Sequence, residues 1–195
     1  MRMSSKDLEL LLKSKSNKSE SQSLSKNKRT YYDRLEDAIR DGFDFKDDKI
    51  SINEKSMVLV FNRVCLLSHN DILRIQFKRM YRYISLWKKR VINLVDTVDL
   101  KEWEKNKVKK IKIEFLYITN NKQYLDYDST VGAVKFIIDG LTKSSAIFDD
   151  SLEFIPVILS RQQKTQGDNS LIVVLTPIEE EEYEKYFSEE FKKLL

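Results

Sequence analysis

The chain has 195 residues, 41% hydrophobic and 34% charged, which suffices for one domain with a core and argues against wholesale disorder. Its 35 Lys and Arg against 31 Asp and Glu leave a net charge of +4, too small to argue for or against a nucleic-acid partner. One cysteine (Cys65) and one histidine (His69) exclude an intramolecular disulfide, a cysteine-built zinc site and a multi-histidine metal centre, while 4 Gly and 2 Pro disfavour a turn-rich β-barrel and a Gly-rich cofactor loop.

The near-neutral total conceals a segregation. Residues 1–30 carry eight Lys/Arg and three Asp/Glu, residues 178–195 carry seven Glu and three Lys, and the middle is net +3. Residues 13–29 alternate Ser, Lys and Asn with almost no apolar side chain, which reads as a disordered basic segment within 1–30. Leu8 and Leu10 to Leu12 before it suit a short helix. Tyr32, Leu35 and Ile39 recur at helical spacing and Gly42 ends that pattern, so 31–57 is expected to be a helical extension. No stretch nears the ~20 apolar residues of a membrane helix, and residues 1–12 lack a secretory pattern, so a cytoplasmic location is expected.

Residues 58–66 are apolar and β-branched, a strand. Asp71 then suits the N-cap of a long helix whose apolar positions are Leu73, Phe77, Met80, Ile84, Trp87, Val91 and Leu94, spaced alternately by four and three. Residues 108–119 set Ile111, Ile113 and Phe115 against Lys110, Lys112 and Glu114, the period of two of a half-buried strand. A helix over about 129–142 follows. Residues 154–159 and 171–176 read as two strands joined in a hairpin by the polar turn Gly167-Asp168-Asn169. Residues 179–195 suit an acidic helix with Tyr183, Tyr186, Phe187 and Phe191 on its apolar side, a packing or dimer element. Helices interspersed with strands give an α+β or mixed α/β domain over 58–177, a β-sheet packed by helices. Trp103, Tyr117, Tyr124 and Cys65 read as packing residues.

Two features carry chemistry. From Ile72 to Val95 there is no acidic residue but seven cations, Arg74, Lys78, Arg79, Arg82, Lys88, Lys89 and Arg90. At about 100° per residue, Arg74, Lys78, Arg82 and Lys89 share one narrow sector across from the apolar stripe, as a phosphate-tracking surface requires. Tyr81 and Tyr83 flank it. The bland alternative is a solvated helix face, though such faces usually mix signs.

The second feature is Asp126-x-Asp128, read as an extended approach to a helix, followed by Lys135, Asp139 and, after that helix, Asp149-Asp150. Carboxylates converging without histidine make a hard, oxygen-only site suited to Mg²⁺, with Mn²⁺ as a substitute. Such an ion polarises a phosphoryl oxygen and activates water. Lys135 could meet the phosphate. The alternative is that Asp126 and Asp128 cap, Asp139 pairs with Lys135 at i,i+4, and Asp149-Asp150 marks a turn.

The run Asp126-x-Asp128, Lys135-x-x-x-Asp139-Gly140-Leu141, Asp149-Asp150-Ser151 resembles the core motif of RusA-type Holliday junction resolvases, particularly phage relatives. The stretch 67–73 with Asn70 resembles the segment that leads into the family's basic helix. The resemblance spans about 58–177. It implies a homodimeric, Mg²⁺-dependent endonuclease that cuts four-way DNA junctions, with Asp126, Asp128, Asp149 and Asp150 at the metal and Lys135 as the essential lysine. It departs from the family in having Ser129 for asparagine and in placing Lys135 seven rather than four residues after Asp128. Asn70, Arg74, Lys78, Arg82 and Lys89 would bind the DNA. The alternatives are a non-catalytic DNA-binding or assembly protein on the same fold, and a phosphohydrolase acting on free nucleotides.

Overall fold

The computed structural model describes residues 46–74, 77–120, 127–179, 181 and 183. They form a mixed sheet with helices, an α+β fold. Strands β1 (Lys49–Ile52), β2 (Met57–Asn62), β3 (Lys110–Thr119), β4 (Val157–Lys164) and β5 (Ser170–Ile178) lie in the order β1-β2-β5-β3-β4. Helices α1 (His69–Arg74) and α2 (Phe77–Val95) join β2 to β3, and α3 (Tyr127–Lys143) joins β3 to β4. Among the described residues no helix is long and apolar enough to cross a membrane.

The alternation read in residues 108–119 holds: odd-numbered residues from Ile111 to Thr119 are buried and even-numbered ones half-buried. Cross-strand partners continue that face, with Phe115 opposite Val173 and Val173 opposite Leu59. Burying this apolar face against the helices supplies the main favourable term of folding. Phe61 on β2 meets Trp87 on α2 edge-on, with ring centroids 5.7 Å apart.

Four expectations are corrected. The segment 31–57 is not helical throughout, because 49–52 is strand β1, antiparallel to β2. The strand expected over 58–66 ends at Asn62, where Arg63 turns the chain with φ of 52°. Cys65 therefore lies beyond the strand, half-buried. Asp71 is not an N-cap: it lies inside α1, whose Ile72 N–H already donates to Ser68 O at 3.0 Å.

The fourth correction concerns the hairpin. β4 and β5 are not paired. β4 runs parallel to β3, as a helical crossover permits, and β5 runs antiparallel to β3 on its other side. The turn between them straddles the end of β3: Thr165 N–H donates to Thr119 O at 2.9 Å, and Asn120 N–H to Asn169 Oδ1 at 2.8 Å. Composition explains the choice. β5 is apolar on both faces (Leu171 to Leu175), as a central strand needs, whereas β4 carries Arg161, Gln162, Gln163 and Lys164 at the sheet's edge.

The expected helices within 1–45 and the C-terminal helix beyond Tyr183 lie outside the described residues, as does Tyr124.

Candidate nucleic-acid and carboxylate site

The site is built on the contact between α2 and α3. Tyr83 meets Phe136 with ring centroids 6.0 Å apart, and Val91 faces Gly140 one to two turns further along both helices. The two helices therefore run in the same direction. β2 and β3 are parallel as well, each being antiparallel to the β5 that separates them. The N-termini of α2 and α3 thus lie at one end of the sheet, beyond the carboxyl ends of β2 and β3, where open sheets with helical crossovers commonly place ligand sites.

Gly140 sets how closely the helices approach. A Cβ there would lie 2.8 Å from Val91 Cβ, nearer than such atoms pack. This proximity brings Lys88 of α2 to Asp139 of α3, Nζ to Oδ2 2.6 Å. Asp139 also meets Lys135, one turn back on its own helix, at 3.3 Å, and Lys135 reaches Asp150 at 3.4 Å.

Asp150 arrives on a loop pinned on both sides. Before it, Trp103 Nε1–H donates to Ala146 O at 2.6 Å and Phe148 N–H to Lys107 O at 3.1 Å. After it, Ile111 N–H donates to Phe154 O at 2.7 Å. Within the pair, Asp150 N–H donates to Asp149 Oδ1 at 2.8 Å. The loop after α3 brings Asp150 back to Lys135 on that helix.

The electrostatics follow the pairing. Burial alone would raise the Asp139 carboxyl, but the bond from Lys88 and then the bond and charge of Lys135 hold it below its usual range. Burial alone would lower the Lys135 ammonium, but the bonds and charges of Asp139 and then Asp150 raise it. Asp139 is thus a lysine-clamped carboxylate. Both the i,i+4 pairing read from the sequence and the convergence of Lys135 with Asp150 occur in one network.

Asp126 lies outside the described residues. Asp128 is not on an extended approach: it occupies the first turn of α3. Its position lies within about 20° of that of Lys135 around the axis and about 10 Å further toward the N-terminus. Among the described residues no group of three or more His, Cys, Asp or Glu side chains is placed to hold a metal ion.

The basic helix is partly redrawn. Asn70, Lys78, Arg82 and Lys89 are exposed, as a DNA-facing row needs. Arg74 ends α1. Two of the seven cations serve the fold instead. Lys88 holds Asp139, and Arg90 is buried, giving Asp48 a two-pronged bond (both distances 2.6 Å) and a further bond to Asn62 O. Arg90 also lies 5.3 Å from the Trp87 ring centroid. Tyr83, expected on the DNA-facing flank, is fully buried; its hydroxyl accepts from Leu67 N–H at 3.2 Å and donates to Cys65 O at 3.3 Å. On a helical wheel Arg90 lies about 40° from Leu94 and about 60° from Trp87, on the buried side. That was the available signal, and the uninterrupted run of charge obscured it.

The apolar stripe is redrawn too. Its C-terminal half is correct, with Trp87, Val91 and Leu94 buried. Leu73 and Phe77 are exposed (66% and 74%). The buried side of the N-terminal half falls to Tyr83 and Leu86.

No family model matches the sequence, and no curated protein does. Among solved structures, the chain is similar to the periplasmic domain of Helicobacter pylori MotB (residues 90–256), with a TM-score of 0.34 and 9% identity over 76% of this chain and 91% of that one. A likeness of that degree transfers neither fold nor function.

Proposed function

We propose that this chain is a Mg²⁺-dependent, structure-specific endodeoxyribonuclease of the RusA type, acting in the cytoplasm as a homodimer on four-way DNA junctions. The supporting observation is the convergence of Asp150 with Lys135, 15 residues apart in sequence and 3.4 Å apart in space, on the face of α3 that also carries position 128. The donor set is carboxylate oxygen alone, which suits a hard divalent ion. Asp128 and Asp150, with Asp126 and Asp149 beside them, would hold it. When bound, it would supply a polarised phosphoryl oxygen and a more acidic water. Lys135 would place a positive charge beside the scissile phosphate. Lys78, Arg82 and Lys89 would hold the DNA arms.

The test is cleavage of a synthetic four-way junction by the full-length protein in Mg²⁺ or Mn²⁺. Paired symmetric nicks are expected, and Asp128→Asn abolishes them while leaving junction binding intact. Absence of nicking across metals and salt concentrations would refute the nuclease reading.

A second reading has its own observation. Two described carboxylates of the site are held by lysines, Asp139 by two and Asp150 by one. A DNA-binding or assembly protein whose site has become structural would bind junctions with steep salt dependence and be indifferent to Asp128→Asn. Turnover of free nucleotides would instead favour a phosphohydrolase.

A further inference from the structure

The N-terminal half of α2 presents two adjacent exposed ridges. Phe77 and Tyr81, one turn apart, are 74% and 67% exposed. Around the axis they lie within about 40° of each other, and Lys78, Arg82 and Lys89 form the next ridge about 60° further round. The buried residues Tyr83, Trp87, Arg90 and Leu94 occupy the opposite side. Large exposed aromatics in line on a helix are uncommon on a surface with no partner. Here they border a helix surface that has no carboxylate of its own from Ile72 to Val95.

We infer that this face of α2 is a binding platform for unpaired nucleotides, in which bases stack on Phe77 and Tyr81 and the backbone follows Lys78, Arg82 and Lys89. The chemistry is that of single-strand recognition: aromatic faces accept any base, and a bordering row of cations tracks the phosphates. The spacing selects against duplex. Ring positions one turn apart are separated by about 6 Å along the helix, whereas stacked bases rise about 3.4 Å. Successive bases can occupy both rings only when drawn out of the stack. A branched or single-stranded segment allows this and a continuous duplex does not. The charge argues for this occupant over an apolar one: a second copy of this face would set Lys78 and Arg82 against themselves, and a purely hydrophobic partner would have to desolvate them.

The inference extends the DNA-binding part of the proposed function and does not depend on cleavage. Its test is therefore made without divalent metal. Full-length protein is titrated into a fluorescein-labelled 20-nucleotide oligo(dT), a 20-base-pair duplex and a four-way junction in EDTA, and anisotropy is read. Phe77→Ala/Tyr81→Ala is expected to weaken oligo(dT) binding at least about tenfold, because it removes both stacking surfaces, and to change duplex binding less than twofold. Phe77→Trp should keep the affinity and show indole quenching on titration. Lys78→Ala/Arg82→Ala should weaken all three ligands and flatten the salt dependence. Both aromatics are exposed, so far-UV circular dichroism should be unchanged in every variant.

Equal affinity of the double-alanine variant for oligo(dT) would overturn the inference. So would a duplex preference in the parent protein. Sedimentation that shows the double-alanine variant losing a dimer while oligo(dT) binding persists would assign the ridge to a second copy and also overturn it. Loss of nicking with intact oligo(dT) binding in Asp128→Asn separates failure of the nuclease reading from failure of this one.

Discussion

Gly140→Ala is the sharpest probe of how the fold sets the site. The added methyl would meet Val91 Cβ at 2.8 Å and its two Cγ atoms at 3.1 and 3.2 Å. None of these is the free end of a flexible chain; Val91 is β-branched, fully buried and stiff at χ1. The helices must therefore separate. Overpacking of this kind costs about 1–3 kcal/mol, and three simultaneous contacts place this case in the upper part of that range. Against it stands a gain of about 1 kcal/mol, because Ala is the better helix former. The net expectation is a loss of about 1–2 kcal/mol, a fall in Tm of about 2–8 °C for a chain of this length.

The assay is urea unfolding followed by tryptophan fluorescence, with Trp87 and Trp103 both in the core. Val91→Ala provides the second arm. It removes two of the three close contacts and leaves room for the helices to adjust. Gly140→Ala should therefore cost less in that background, with a coupling of at least about 0.5 kcal/mol. A stabilisation by Gly140→Ala of about 1 kcal/mol, as propensity alone would give, would refute the close-approach argument. Equal costs in the two backgrounds would do the same.

Two further outcomes follow from the ion pairs. Arg90 and Asp48 pair with side chains 0% and 2% exposed, so Asp48→Ala leaves a buried cation uncompensated and should cost about 3–5 kcal/mol in the same urea assay; Asp48→Ala/Arg90→Met should cost less than the sum of the single variants. Asp139 is held below its ordinary 3.8 by the two lysines despite its burial. Its contribution to stability is therefore present above about pH 4 and lost as pH falls through the lower folded value. Asp139→Asn should be less stable than the parent near neutrality, with the gap closing in acid; a gap that stays constant to pH 2 would contradict the clamp.

What the sequence revealed was decided by period and by chemistry that acts locally. β3 was legible because one strand buries one face and writes its alternation directly. Lys135 and Asp139 were legible because one helix turn separates them. Pairing across the sheet was not. The polar turn at Gly167 signals a reversal, but whether the chain pairs there or crosses the end of β3 depends on which strand can afford to be central. The apolar run of Leu171 to Leu175 carried that information, and the turn motif outweighed it. β1 escaped notice for a related reason: four residues with a half-exposed pattern are a strand only because β2 lies beside them. Arg90 and Lys88 were misread because a run of like charge hides partners supplied by distant segments, Asp48 before the sheet and Asp139 on the next helix.

The same contacts sort the carboxylates by role. Asp139 has two lysines, the nearer at 2.6 Å, and is largely buried; drawing it to a metal would break both pairs and disturb the helix contact that Gly140 permits. Under the proposed function it would be a positioning residue that orients Lys135. Asp150 is different. Its described cation contact is Lys135 at 3.4 Å, its side chain is 39% exposed, and it sits on a loop fixed by backbone bonds on both sides. A divalent ion could displace one long, exposed lysine contact at little cost, because such a pair contributes at most about 1 kcal/mol. Lys135 would then lose Asp150 while its ammonium keeps the contact to Asp139 at 3.3 Å. Under the proposed function Asp150 is thus more available to a metal than Asp139, and the lysine that now pairs with it is the group that would meet the substrate phosphate.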